Sequence, residues 1–245
     1  VCMSIVVIPS ISRPRNHILA RLPVDVLEAL QPSLELVALS AQQVVQVAEQ
    51  PITSVYFPES GWLSLSILME NGDGIEVGSI GREGMLGYPV LLGSEHQDLD
   101  AVVQGAGWAW RMDAQEFRRQ IGQAPALRDR LLRHMMAQHA QVIRMAACHG
   151  CHYTGQRLAR WLLMAHDRAE ADAFPVTHHA IAVMLGMRRA GVTTAANLLQ
   201  KAGIISYGRG QMTIMDRTAL EALACECYGH IRRMEKRLLC EPVDA

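Results

Sequence analysis

The sequence predicts an α+β chain: an antiparallel β-roll first, a long helix next and a winged helix-turn-helix last. Three observations predict it. Short apolar runs broken by turn residues fill positions 33–112, an almost unbroken helical pattern follows Asp113, and residues 175–215 read as helix, glycine turn, helix and basic hairpin.

At 245 residues, half of them apolar, the chain is long enough for one large or two ordinary domains with real cores. No run approaches the ~18 apolar residues that cross a bilayer. The stretch Ile5–Ile8 is too short for the core of a signal peptide, so a soluble, cytoplasmic protein is expected. The net charge of −1 hides a polarity. Residues 1–125 hold 7 Arg and 14 acids, residues 126–245 hold 16 Lys or Arg and 10 acids, and the halves carry −7 and +6. A basic half points to a polyanion partner, although a solvated helix face gives a similar excess.

The first element is a short helix over "PVDVLEAL", opened by Pro23. The runs "SVYFPESG", "WLSLSILMENGDG", "IEVGSIGREG" and "AVVQGAGWAWRM" follow as strands, with Asn71-Gly72-Asp73-Gly74 a hairpin turn. Roughly five to eight strands at this spacing make an antiparallel barrel or jelly roll. In the helical stretch beyond, Leu131, Met135, Gln138, Val142 and Met145 recur at alternating intervals of 4 and 3. That narrow stripe suits a two-helix seam, more often a dimer interface than a ligand box. Gly150 and Gly155 mark a hinge, after which Leu158, Trp161, Leu162 and Ala165 point inward.

Thr177 is placed to cap a short helix ending at Leu185, and Gly186 supplies the turn. The next helix, 188–202, buries Val192, Ala195, Ala196 and Leu199 and leaves Arg188, Arg189, Thr193, Thr194 and Asn197 outside. Gly203 closes it, and a hairpin follows with Gly208-Arg209-Gly210 at its tip. This is the order of a winged helix-turn-helix. Arg188 and Arg189 can reach base edges or phosphates, and Arg209 can grip the backbone.

From about residue 17 to 217 the sequence resembles the Crp/Fnr transcription regulators. The likeness is carried by "VYFPESGWLSL", "GIEVGSIGREGMLG" and "LGMRRAGVTTAANLLQKAGIIS", the last similar to the family's recognition-helix motif. It implies a β-roll sensor of the cyclic-nucleotide-binding kind over 1–122, a dimerisation helix and hinge over 123–150, and a DNA-binding domain over 151–245. The expected partners are a second copy of the chain, double-stranded DNA with a pseudo-palindromic operator, and RNA polymerase, with no membrane. Many members start the recognition helix with Arg-Glu and carry a second Arg further on; here Arg189 precedes Ala190, and Thr194 stands at the later position. Arg189 keeps the role of guanine reader, and the rest of the half-site is expected to differ.

Members that bind cyclic nucleotides place Gly-Glu and then Arg-Ser or Arg-Thr in the roll. Here Gly87 precedes Tyr88, and residues 83–103 contain Glu83, Glu95, Asp98 and Asp100 but no Lys or Arg. The corresponding effector residues are Arg82, Glu83, Leu86, Gly87 and Tyr88, and no cyclic nucleotide is expected on them. No nucleophile–base set, His-Glu-x-x-His or phosphate loop argues for an enzyme.

One motif stands apart. Residues 148–152 read "CHGCH", formally a haem-attachment signature, and "LACECYGH" adds Cys225 and Cys227. Cys148, Cys151 and His152 share a helical face and, with the second pair, offer a metal, iron–sulfur or redox-thiol site. A haem-linked or redox electron-transfer protein is thus the alternative reading. Against it, C-x-C on a continuous helix points its thiols about 200° apart. Buried inert thiols are the commoner outcome for such residues.

Overall fold

A computed structural model describes residues 13–70 and 74–240. Ile5–Ile8 and most of the 71–74 turn lie outside them. A 3-10 turn at Leu19–Arg21 leads into α1 (Val24–Leu30), with Pro23 at its N-cap. Seven strands follow: β1 (Glu35–Leu39), β2 (Val44–Gln46), β3 (Ser54–Pro58), β4 (Trp62–Leu68), β5 (Gly74–Ile80), β6 (Asp100–Gly105) and β7 (Gly107–Asp113). All neighbours are antiparallel, in two sheets ordered β1-β7-β3 and β2-β6-β4-β5.

The sheets meet where β6 turns into β7. Gly61 sits there at φ +70°, and a Cβ on it would lie 2.2 Å from the Gly105 carbonyl oxygen, so only glycine allows this closing contact. Leu39, Leu63, Leu65, Ile80, Leu86, Ala101, Val103 and Ala109 fill the space between the sheets. A second apolar cluster, including Val55, Phe57, Met85, Met112 and Phe117, joins the roll to the helices that follow.

Asp113 ends β7 and caps α2 (Ala114–Gln123), its carboxylate accepting from the Gln115 and Glu116 N–H groups. Pro125 opens α3 (Pro125–Cys151), whose 27 residues span about 40 Å. The chain turns through His152 and Tyr153 into α4 (Thr154–Arg168), so the hinge falls between the two predicted glycines. Then come β8 (Ala173–Pro175), α5 (His178–Leu185), α6 (Arg189–Lys201), β9 (Ile205–Gly208) and β10 (Gln211–Ile214). The chain closes with α7 (Arg217–Leu223), α8 (Cys227–Glu235) and a π turn from Lys236. No described helix is long and apolar enough to cross a membrane.

The C-terminal core includes Leu158, Trp161, Leu162, Ile181, Leu185, Val192, Leu199, Met212 and Leu220, and the roll contributes Trp62 to it. Trp62 meets Phe174 edge-on at 6.0 Å. Roll and C-terminal domain are thus packed, not merely tethered.

Candidate nucleic-acid interface and its connections

The candidate nucleic-acid face is built by α5, α6 and the hairpin. Thr177 caps α5 by accepting from the Ala180 N–H at 3.1 Å, and Gly186 makes the turn at φ +58°. Helix α6 buries Val192, Ala195, Ala196 and Leu199 as expected from their spacing. Arg188 is its N-cap and Arg189 its first residue; both are exposed, as is Asn197 one face along. Thr193 is diverted inward, its hydroxyl 3.1 Å from His178 Nδ1, while Thr194 donates to the Ala190 carbonyl at 3.0 Å. The His178 ring also stacks on Tyr207 of β9, centroids 4.1 Å apart, which fixes the wing against α5.

At the wing tip Arg209 (φ +54°) and Gly210 (φ +77°) form a two-residue turn of the type that matches strand twist. An arginine with positive φ is uncommon, and here it is held out at the apex. The short strand β8 pairs with β10 and completes a three-stranded sheet that the sequence did not announce.

The predicted seam residues do not all lie on one open face of α3. Leu131 and Met145 are 0% and 2% exposed and belong to the chain's own core, and Met135 and Gln138 are only half-exposed. The open apolar face is instead Leu132, Met136 and Ile143, flanked by Val142, with exposures of 41–57%. Leu132, Met136 and Ile143 are 4 and 7 residues apart, one and two helical turns, so they share a face.

The loop 81–87 does not gather its residues into one effector pocket. Leu86 is buried and pairs with Tyr56 across the sheet, and Gly87 (φ +92°) turns the chain ahead of half-buried Tyr88. Glu83 turns away from the roll to Arg168 of α4, 2.6 Å distant, with both side chains largely buried. Next to it, His134 of α3 accepts from the Met85 N–H at 3.2 Å, and a Cβ on Gly84 would strike its ring. Burial holds that imidazole down at about 4, so it is neutral. Arg82 borders a cleft of about 540 Å³ between this loop and α4 and α8. The loop therefore touches both the long helix and the C-terminal domain.

Glu76 of β5 faces α4 and is fully buried. Desolvation raises its carboxyl to about 7, despite a hydrogen bond from Ser64 and the charges of Arg160 and Arg168. In the unfolded chain it would ionise near 4.5. The folded state thus holds the proton longer, and stability is expected to fall as pH rises from about 4.5 to 7, by about 3 kcal/mol from this group, and to level off above. Glu235, also raised to about 7, mainly by burial, acts with the same sign. Denaturant midpoints at pH 5 and pH 8 should show a smaller difference for Glu76→Gln than for the native chain. An equal difference would contradict the assignment.

The cysteine motif divides. Cys148 is buried and Cys151 exposed. Cys148 meets Cys225, with Sγ atoms 3.5 Å apart, and His152 meets Cys227, with Nδ1 3.7 Å from Sγ. The other ring nitrogen, Nε2, lies 3.1 Å from the Glu226 carboxylate. The expected divergence of Cys225 and Cys227 does not occur, because the helix is broken there: Ala224 is extended, and α8 starts only at Cys227.

Two family models match the chain: a cyclic nucleotide-binding domain over residues 36–124 and a Crp-like helix-turn-helix domain over 156–223. The chain belongs to the Crp/Fnr family of transcription regulators. It is a non-enzymatic DNA-binding regulator with an effector-sensing domain. Among solved structures it is similar in fold to FixK2 from Bradyrhizobium japonicum, at 17% identity over 78% of this chain and 98% of that one, with a TM-score of 0.67. It is also similar to a CRP/FNR-family transcriptional regulator of Thermus thermophilus, at 20% identity over 78% and 98%, with a TM-score of 0.60. No curated protein matches it in sequence.

Proposed function

We propose that this Crp/Fnr regulator works as a homodimer joined along α3, which places two copies of α6 on a pseudo-palindromic DNA duplex and acts there on RNA polymerase. The observation that carries this reading is the exposed Arg188-Arg189 pair at the start of a recognition helix whose opposite face is buried. Arg189 contacts guanine, while Arg188 and Arg209 touch phosphates, and Asn197 and the backbone near Thr193 and Thr194 complete the approach. In this reading residues 1–122 form the sensor, 123–150 the dimerisation helix and hinge, and 151–245 the DNA-binding domain. Loop 81–87 lies between sensor and effector ends, so a change in the roll would reach α3 through His134 and α4 through Arg168.

Gel retardation across a salt series tests the reading. Each wing arginine that neutralises a phosphate should contribute nearly one unit to the slope of log affinity against log salt. Arg209→Ala should weaken specific and non-specific DNA alike and flatten that slope by about one unit per wing. An unchanged slope would exclude a wing contact.

The signal is one other than a cyclic nucleotide. A cyclic phosphate buried in the roll needs a cation to offset its desolvation. Residues 83–103 supply none, Glu83 is committed to Arg168, and the nearby Arg118 pairs with Glu95 at the surface. The space between the sheets is filled by Leu63, Leu65, Ile80, Leu86 and Val103. Calorimetry with millimolar cyclic AMP or cyclic GMP should register no binding heat, and saturable micromolar binding would contradict this.

A further inference from the structure

We propose that Cys148, His152, Cys225 and Cys227 bind one zinc ion in a closed tetrahedral site that clamps α8 to the end of α3. Their ligand atoms all lie within 4.8 Å of one another. Tetrahedral zinc, with Zn–S near 2.3 Å and Zn–N near 2.0–2.1 Å, requires ligand separations of about 3.8 Å for S···S and about 3.6 Å for S···N. The observed Cys148–Cys225 and Cys227–His152 separations are 3.5 and 3.7 Å. That sulfur–sulfur separation is far beyond a disulfide bond of about 2.05 Å. It is also too short for a four-iron cluster, whose cage spreads its four ligands wider than a single ion does.

The surroundings are those of a metal site rather than of packed thiols. The three cysteines are almost completely buried. A purely apolar cluster has no use for an imidazole. Here His152 turns Nδ1 toward Cys227 and Nε2 toward the Glu226 carboxylate. With Nε2–H donating to Glu226, the tautomer is fixed and the Nδ1 lone pair is left for a metal, the usual outer-sphere arrangement for a histidine ligand. Three thiolates around a divalent ion leave one negative charge. Arg160, fully buried, stands close enough to act on Cys148, and two of its nitrogens have no hydrogen-bond partner among the described residues. Its charge, which also acts on Glu76, would offset that of the thiolates.

The chain supplies the ligands from two places. Cys148 and His152 are one helical turn apart at the end of α3, and the break at Ala224 lets Cys225 approach from the loop while Cys227 enters from α8. The hinge at 152–153 begins at a ligand. An ion here therefore fixes both the C-terminal helix and the point from which the DNA-binding domain departs. This assignment does not depend on the DNA reading.

Protein purified without chelator should contain one zinc per chain by elemental mass spectrometry. Titration of the thiols with a mercurial should release it to a chromogenic chelator. Cobalt(II) in its place should give the intense visible bands of a tetrahedral thiolate complex. Cys225→Ser and Cys227→Ser should abolish binding, while Cys151→Ser should keep the full ion. Glu226→Gln, which leaves every ligand in place, should weaken zinc about 10- to 100-fold; it keeps the test open if a cysteine variant fails to fold. The proposal is overturned if the native chain neither contains nor takes up zinc or cobalt, if it carries an iron–sulfur chromophore, or if Cys151→Ser loses metal as Cys225→Ser does.

Discussion

Met136→Glu should convert the protein to a monomer and abolish tight operator binding. On α3 the open apolar face is Leu132, Met136 and Ile143, and Met136 is 57% exposed in the isolated chain. Across a two-fold axis this face meets itself, so one substitution places two carboxylates close together in a desolvated seam. Like charges there cost several kcal/mol, and about 4 kcal/mol shifts a dimer constant by roughly 10³. With only one recognition helix engaged at a time, operator affinity should fall about 10²-fold or more. Analytical ultracentrifugation and gel retardation read the two effects. Leu131→Ala is the contrasting control: its side chain lies in the chain's own core, so it should remove about 2–5 kcal/mol of folding stability and leave the dimer interface itself intact. If Leu131, and not Met136, governed dimerisation, the phase assigned to the seam would be wrong.

Arg189→Ala should relax sequence preference at one base pair of each half-site. A bidentate arginine–guanine contact is worth about 1–3 kcal/mol of discrimination, and a dimer makes it twice, so specific affinity should fall by roughly 30-fold to 10⁴-fold. Non-specific affinity, set by phosphates, should change far less. The same substitution should leave the fold alone, since the side chain is exposed and α6 is anchored by Val192, Ala195, Ala196 and Leu199. Equal losses on specific and random duplexes would move Arg189 to the phosphate contacts.

Much of this was legible in the sequence, because periodicity and turn chemistry act locally. Thr177, Gly186, Gly203 and the Arg209-Gly210 tip each punctuate the chain where a cap or positive φ is needed, and the winged helix follows from them. Which side of α3 lies open could not be read from spacing, for a definite reason. Helix α3 is apolar on more than one side, since α8 and the roll cover part of it, and a 4-3 spacing alone cannot say which stripe faces a partner. The thiol cluster was named from residue type, but its geometry was hidden: Cys148 and Cys225 are 77 residues apart, and the helix break at Ala224 that joins them carries no glycine or proline signal. The Glu83–Arg168 pair, 85 residues apart, was invisible for the same reason. Strand β8, three residues long, is set by its pairing with β10 and not by any local pattern.

The central claim is that two recognition helices read DNA as a symmetric pair. Its most direct test is selection of bound duplexes from fragmented genomic or randomised DNA by the purified full chain, followed by sequencing. The recovered motif should be a pseudo-palindrome whose half-sites lie one helical turn apart, ~34 Å centre to centre, with one guanine in each half-site lost from the motif of Arg189→Ala. Recovery of no enriched sequence, or of a single unrepeated half-site, would contradict it.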